Sequence, residues 1–425
     1  MKERPILIHE VRDMWPETLV VGYGMKRYNP FVWLLQRAEN SAYRRSDYVV
    51  STLEYAKEHM LKHGLKEKKY RYLTNGVTLQ DWENPLELPK MHKDALQKIK
   101  EQGKFLIGYF GGMTPLDTLD FYLDAIKKVN CDSIQFVLVG DGRERERLEQ
   151  RIRSEKIRNC LILPRIEKKA IPNLLKWFDC IYMGTEYTEL NKYGISLTKM
   201  TDAMISGVPI IFRTNIDNLV SQNNAGIIVD TKNPQKLADK FIEIYEMDAD
   251  ERRKMGLNGH NAVVNNYTYE KIAENYTKLF PAKENLHILM IQHYAGSNSM
   301  GMVFRPYYLA REWVKRGYKV DIIAASYSHL RVKNPEIEKS FKKQEIDGIV
   351  YHWVKTRTYE GNGIKRAFSI FDFVGQTLVH ASEIAKTLQP DVIIAGSTYM
   401  LDTYIGQKIR RKTTVSYTHL TLPTT

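Results

Sequence analysis

Cysteine is scarce in this chain. Three residues among 425 (Cys131, Cys160 and Cys180) have neither disulfide-framework nor metal-ligand spacing, and they read as buried thiols in a reducing compartment. No apolar run approaches the roughly 18–20 residues needed to cross a bilayer, and no secretory signal precedes the first strand. That argues for a cytoplasmic protein. Internal repeats are lacking, and so is any recognisable RNA- or DNA-binding module, so nucleic acid ranks last among partners.

What is present is 43% hydrophobic and 27% charged residues, the balance of a globular chain, with a length that suits two or three domains. The net charge of +13 is spread over many short clusters, such as KRY at 26–28, RR at 44–45 and KIRRK at 408–412. It suits an anionic partner, either phosphate or an acidic lipid surface, and a merely solvated basic surface explains it equally well.

Strands and helices alternate almost throughout, the pattern of parallel α/β sheets. Strands are expected at 5–11, 47–51, 105–110, 134–139, 160–163, 180–183, 209–212 and 226–229, then at 286–292, 319–324, 349–354 and 391–395. Helices are expected at 29–45, 53–63 (closed by Gly64), 116–129, 143–156, within 234–280, and at 302–316, 364–388 and 400–411. A low-regularity stretch with TNGV at 74–77 and the prolines Pro85 and Pro89 marks a boundary. This divides the chain into 1–85, a body at 90–265, a helix and linker at 266–285, and a second Rossmann-type start at 286–414.

Two stretches carry the chemistry. FVLVGDG at 136–142 runs a hydrophobic strand into Gly140, Asp141 and Gly142 ahead of a helix. Glycines there let a ligand approach the backbone, and the helix N-terminus favours an anion. A simple tight turn explains the same three residues. YTELNKYGISLTKMTDAMISGVP at 187–209 passes Tyr193, Gly194 and Ser196 into a helix bearing Lys199 and Asp202, which share a face at i, i+3. Ser196 sits where an N-cap belongs. A lysine in a first helical turn opposes the helix dipole unless an anion is bound, which favours a diphosphate. A capped surface helix with one local ion pair is the bland alternative.

Together VGDG, ILPRIEKKAIPNLLKWFDCIYM, YGISLTKMTDAMISGVPII and AGIIVD resemble the donor domain of a family 4 glycosyltransferase. HEVRDMWPETL at 9–19 resembles a segment of the branch that builds bacterial surface polysaccharides. The resemblance covers about 5–281 and 286–414. It implies an α/β, GT-B fold of two Rossmann-like domains, with the acceptor domain assembled from both chain ends. The implied activity is sugar transfer from a nucleotide diphosphate sugar, a substrate rather than a cofactor, without a metal.

By motif position, Gly111 and Gly112 would pass the diphosphate, Arg165 and Ile166 would border the base, and Ser196 and Lys199 would hold phosphate oxygens. Asp202 would take the acidic role near the ribose. His9, with Asp13 as second candidate, would stand near the transferred sugar. His9 as a histidine satisfied by local hydrogen bonds stays open beside that role.

Two departures stand out. The first acid of the family's usual pair falls near Gly194, leaving Glu186 or Glu189 as substitutes, and GGMTPLD at 111–117 supplies no cation after the first donor strand. On the acceptor side, Phe31, Val32, Leu34, Leu35 and Ala38 form an apolar stripe flanked by Lys26, Arg27, Arg37, Arg44 and Arg45, which reads first as an ordinary core-facing helix with a solvated edge and otherwise as a membrane-docking face. Relatives act on polyprenyl-diphosphate-linked sugars at the inner membrane face, so a peripheral membrane location is implied, with Arg305 near acceptor phosphate. A sugar-nucleotide 2-epimerase of the same fold, or an inactive fused product, are the alternatives.

The β–loop–α–β unit from 286 onward reads like a domain's opening, whereas the first strand, PILIHEVRD, reads like a closing one. The order is expected to be rotated or fused, with 5–11 sharing a sheet with 286–292 and 391–395. VSYTHLTLPTT at 415–425 reads as an adapter-derived scar.

Overall fold

The computed structural model describes residues 3–301, 304–361 and 363–414. The adapter-like segment 415–425 lies outside them, as do Met302 and Val303, where a helix was expected to open. Fourteen strands are present among the described residues. They are β1 (Ile6–Val11), β2 (Tyr48–Ser51), β3 (Tyr70–Tyr72), β4 (Phe105–Gly112), β5 (Ile134–Asp141), β6 (Cys160–Leu163), β7 (Cys180–Gly184), β8 (Ile210–Arg213), β9 (Gly226–Ile228), β10 (His287–Ile291), β11 (Lys319–Ala325), β12 (Lys342–Ile346), β13 (Ile349–Val354) and β14 (Val392–Ala395).

The chain divides into two compact units, Met1–Thr74 with Tyr269–Thr425, and Asn75–Thr268. The second unit is a six-stranded parallel sheet in the order β6-β5-β4-β7-β8-β9. Its strands are apolar runs because helices cover both faces. One face packs Leu106, Val137, Ile181 and Ile210 under Leu96, Leu174 and Met204. The other buries Tyr122 stacked on Tyr182 at 3.9 Å, with Phe136 and Phe241 edge-on.

The boundary expected in the stretch from 74–77 to Pro89 falls at its start, between Thr74 and Asn75. Val77 bridges Thr268 and donates its amide to the Tyr267 carbonyl, which ties the segment into the second unit. A helix that the sequence pattern did not reveal, Lys90–Glu101, buries Leu96 there.

The first unit is one eight-stranded sheet ordered β12-β13-β11-β10-β14-β1-β2-β3. β14 lies between β10 and β1: Ile394 is in register with Met290 on one side and Ile8 on the other. The first strand of the chain thus shares its sheet with the strands after residue 286, as the sequence led us to expect. Numbered from β10, the parallel strands follow the doubly wound order, reversing direction between β10 and β14.

Four differences from the sequence expectation have local causes. β12 is a charged edge strand paired antiparallel to β13, through a two-residue Asp347-Gly348 turn with φ of 52° and 76°. β3 is a three-residue edge strand, too short to show periodicity. The helix expected over 364–388 breaks at His380, where ψ is 2° and the ring nitrogen Nδ1 lies 2.9 Å from the Gln376 carbonyl. The helix Tyr269–Thr277, read as part of a linker, buries Tyr269, Ile272 and Tyr276 in the core of the first unit.

A buried charged knot lies at that core. Glu10 of β1 accepts from Arg305 Nε at 2.9 Å and from the Tyr276 hydroxyl. Arg305 also donates to the Leu73 carbonyl at 3.0 Å and to the Thr74 carbonyl. Burial opposes the Glu10 charge, but Arg305, Arg12 and the Tyr276 hydroxyl outweigh it and hold the carboxyl below its usual range. Arg305→Met leaves that carboxylate buried without its counter-ion and is expected to lower unfolding free energy by about 3–5 kcal/mol. Urea melts of R305M, E10Q and the double variant test this. The double variant should recover most of the loss, showing strong coupling between the two sites.

Candidate functional site

The carboxyl edge of the second sheet gathers most of the residues singled out in the sequence. β4 ends in Gly111 and Gly112, paired with Gly140 and Asp141 at the end of β5. A Cβ on Gly140 would fall 2.0 Å from the Gly111 carbonyl oxygen, and one on Gly142 would fall 2.4 Å from that of Met113. These glycines are required by backbone meeting backbone, which leaves an edge lined by main chain. Asp141 is exposed and accepts from the Gly142 amide at 2.9 Å.

Lys199 leans over this edge, its Cδ 3.2 Å from where a Gly111 Cβ would sit. Its helix is Thr198–Ile205, and the N-cap is Leu197, which supplies no side-chain cap. Ser196, expected as the cap, stands one residue earlier and accepts instead from Asn75 Nδ2 at 2.9 Å. The first-turn amides are therefore left without a side-chain cap.

Lys199 Nζ pairs with Asp117 Oδ1 at 2.7 Å and donates to the Tyr109 hydroxyl at 3.1 Å. Burial lowers its pKa against the pull of Asp117. Asp117 is itself fixed, taking the Thr114 amide at 3.1 Å and hydroxyl at 2.6 Å. The loop that supplies no cation thus supplies an acid, and the Thr114-Pro115-Leu116-Asp117 capping box was its visible signal.

Asp202 does not pair with Lys199. It is buried and accepts from Lys168 Nζ at 2.8 Å. Arg165 is exposed after β6, and Ile166 packs on the core beside it. Tyr193 is buried with the Lys192 ammonium 5.2 Å from its ring centroid, while Glu186 and Glu189 are exposed on the same loop.

His9, Asp13 and Arg305 belong to the other unit. His9 is fully buried on β1, its Nε2 3.0 Å from Met400 Sδ, with Nδ1 lacking a hydrogen-bond partner among the described residues. Burial depresses its pKa to about 4, so it is neutral at physiological pH. Asp13 is exposed just beyond β1, with Arg12 and Arg366 as nearby positive charges. Arg305, expected to reach acceptor phosphate, is instead buried, and its guanidinium is occupied by Glu10, Leu73 and Thr74.

Residues that the sequence reading passed over sit at the carboxyl ends of β10 and β14, flanking the point where strand order reverses. His293 is buried, with Nδ1 2.7 Å from the Tyr399 hydroxyl, and Nε2 has no partner among the described residues. Gln292 Nε2 likewise has no hydrogen-bond partner among the described residues, and Arg12 Nε stands 3.7 Å from a Glu10 carboxylate oxygen. Buried polar atoms of this kind concentrate where a doubly wound sheet takes its ligands. Asp402 accepts from the Ser397 amide at 2.6 Å, and burial raises its pKa to about 7.

Fold and donor edge together define a chain built on two Rossmann-like units, one of which has the edge of a nucleotide-handling domain. Residues 104–247 match the family described as Glycosyl transferases group 1. An uncharacterized glycosyltransferase of Methanocaldococcus jannaschii, MJ1069, is 22% identical over 240 residues, which is 56% of this chain and 59% of that protein's length. Among solved structures, Anabaena HepE (Alr3699) in complex with UDP and glucose is 15% identical at a TM-score of 0.49, covering 64% of this chain and 71% of that one. WaaG, a glycosyltransferase involved in lipopolysaccharide biosynthesis, is 11% identical at 0.49, covering 64% and 74%. Among the described residues, no helix is long and apolar enough to cross a membrane.

Two buried groups give opposite pH signatures. A histidine whose folded pKa is about 4 is protonated more readily when unfolded, so His9 costs stability as pH falls from 6.5 to about 4. His9→Gln should therefore gain on wild type by up to about 3 kcal/mol over that window. Asp402, raised to about 7, costs stability as pH rises from about 4 to 7, so Asp402→Asn should gain on wild type in that direction. Urea midpoints taken across this range check both signs.

Proposed function

We propose that this protein transfers a glycosyl group from a nucleotide diphosphate sugar to a hydroxyl of a glycan or lipid-linked acceptor. The observation that carries the reading is Lys199, set in an uncapped first helical turn over the double-glycine end of β4. That arrangement lies inside the segment matched to the group 1 glycosyltransferases.

As the bond from the anomeric carbon to the diphosphate oxygen breaks, its electrons pass to the leaving diphosphate, the acceptor oxygen bonds to the anomeric carbon, and the hydroxyl proton passes to a diphosphate oxygen or to solvent. Lys199 and the free amides of its turn would stabilise the charge gathering on the diphosphate. Lys199 must exchange Asp117 for phosphate when donor binds, so Asp117 holds the cation in place until then. Asp202 serves the ribose side, and Arg165 with Ile166 borders the base. The polar edge around His293 and Gln292, with His9 and Asp13 on the neighbouring strand, is the acceptor side.

A membrane-surface acceptor is supported by exposed Tyr28 and Trp33, the latter with the Arg37 guanidinium 4.7 Å from its ring centroid. A polyprenyl-diphosphate-linked sugar acceptor of surface-polysaccharide assembly, handled by a cytoplasmic, peripherally attached enzyme, fits that patch and the net charge of +13. The doubly wound strand order counted from β10 supports one enzyme domain whose chain order is rotated.

The test incubates labelled UDP- and GDP-sugars with the protein, with and without polyprenyl acceptor. Acceptor-dependent transfer is expected. Donor conversion without acceptor would favour a 2-epimerase, and absence of any donor binding would refute the proposal. Lys199→Ala should lower kcat/KM by about 10²–10³-fold. Asp117→Asn, which frees the lysine, should keep or tighten nucleotide diphosphate binding in calorimetry, and loss of binding in both variants would reduce the pair to a structural role.

A further inference from the structure

Away from both sheet edges, helix Pro30–Arg45 turns Gln36, Glu39, Asn40 and Tyr43 toward the short helix Lys57–Lys62. His59 lies on that second helix and His63 is its C-cap residue, so the two are spaced i, i+4 and share a face. Their rings are 4.3 Å apart, centroid to centroid. Glu39 is fully buried between the helices, with one oxygen 2.9 Å from His59 Nε2 and 2.9 Å from the Tyr43 hydroxyl. Its second oxygen takes the Gln36 amide at 2.5 Å. That amide also lies 2.9 Å from His63 Nδ1, and Asn40 Oδ1 is 3.0 Å from the same ring nitrogen.

A carboxylate this deep calls for a positive partner. Among the described residues, the only ion pair of Glu39 is to His59, which is charged only when protonated. One ring nitrogen from each histidine and one Glu39 oxygen all lie within 4.8 Å of one another. Tetrahedral zinc, with bonds of about 2.0–2.2 Å, needs ligand atoms roughly 3.3 Å apart, so small side-chain rotations close the gap. Two imidazoles and a carboxylate are a borderline donor set suited to Zn²⁺ rather than to the oxygen-only shells of Mg²⁺ or Ca²⁺.

We propose that Glu39, His59 and His63 form a zinc site, with Asn40 Oδ1 or water in the fourth position, that pins the 57–62 helix to the 30–45 helix. The two helices bracket β2 and precede β3, so the metal would fasten the segment that carries those edge strands. The site is separate from the donor edge and does not depend on the proposed transfer reaction.

Full-length protein stripped with a chelator and titrated with Zn²⁺ alone should bind one equivalent in calorimetry. Its Tm should rise by roughly 5 °C when zinc stands about a hundredfold above Kd. His63→Gln and His59→Gln should each weaken binding by at least about tenfold and remove the Tm shift, while leaving nucleotide diphosphate binding unchanged. Co²⁺ in place of zinc should give the visible absorption of a four-coordinate site in the unaltered protein, a readout that survives if a variant fails to fold. Less than about a tenth of an equivalent of zinc bound, unchanged binding in the histidine variants, or no such absorption would overturn the proposal.

Discussion

The first unit depends on one buried ion pair. Glu10 and Arg305 are 295 residues apart in sequence, yet they meet in a core that also holds the Tyr276 hydroxyl and the Leu73 and Thr74 carbonyls. Four separate chain segments converge on two charges. A pair of this kind is weak in net stabilisation, because desolvation cancels most of its attraction, but it is intolerant of partial assembly. A sheet built from both parts of the chain needs such a constraint, since apolar strands alone pack in several registers with similar free energy. The knot lets β1 take only the place that brings Glu10 to Arg305.

The donor edge follows the opposite electrostatic logic. Its charges are held in short ion pairs, Lys199 with Asp117 and Lys168 with Asp202, instead of being left bare. A lysine in the first turn of a helix opposes the dipole, and Asp117 offsets that cost while keeping the ammonium beside the glycine edge. In the proposed reaction an incoming diphosphate would displace a carboxylate, an exchange of one anion for another. Such an exchange needs less reorganisation than fixing a free lysine, whose long side chain otherwise loses rotamer entropy on binding.

Much of the fold was legible because parallel strands buried on both faces are apolar runs and need no partner to be recognised. The motif glycines were also legible as strand-ending glycines, although what leaves Gly140 no room for a Cβ is the Gly111 carbonyl of the neighbouring strand. The edge strand Lys342–Ile346 was not, as its KKQEI sequence carries no burial signal, although the Asp347-Gly348 turn announced a hairpin. The linker helix at 269–277 was read as a connector because nothing local says which unit its apolar face will meet. At the site, Lys199 and Asp202 were found, yet their partners were not. The local ion pair that was the bland alternative for the two does not form, and Asp117 and Lys168 take its place, each brought in from a distant loop.

The sequence by itself determined most of the buried strands and the glycine-bearing turns that end them. These follow from local periodicity and sterics, which act within a few residues. Only the tertiary structure decided which charges meet. Glu10 was joined to Arg305, Lys199 to Asp117, and His59 to Glu39, because burial makes an unpaired ion costly and the choice of partner rests on distance in space. It likewise decided that β1 lies beside β14, a pairing that hydrogen bonds between strands can specify only after both have been brought to the same sheet.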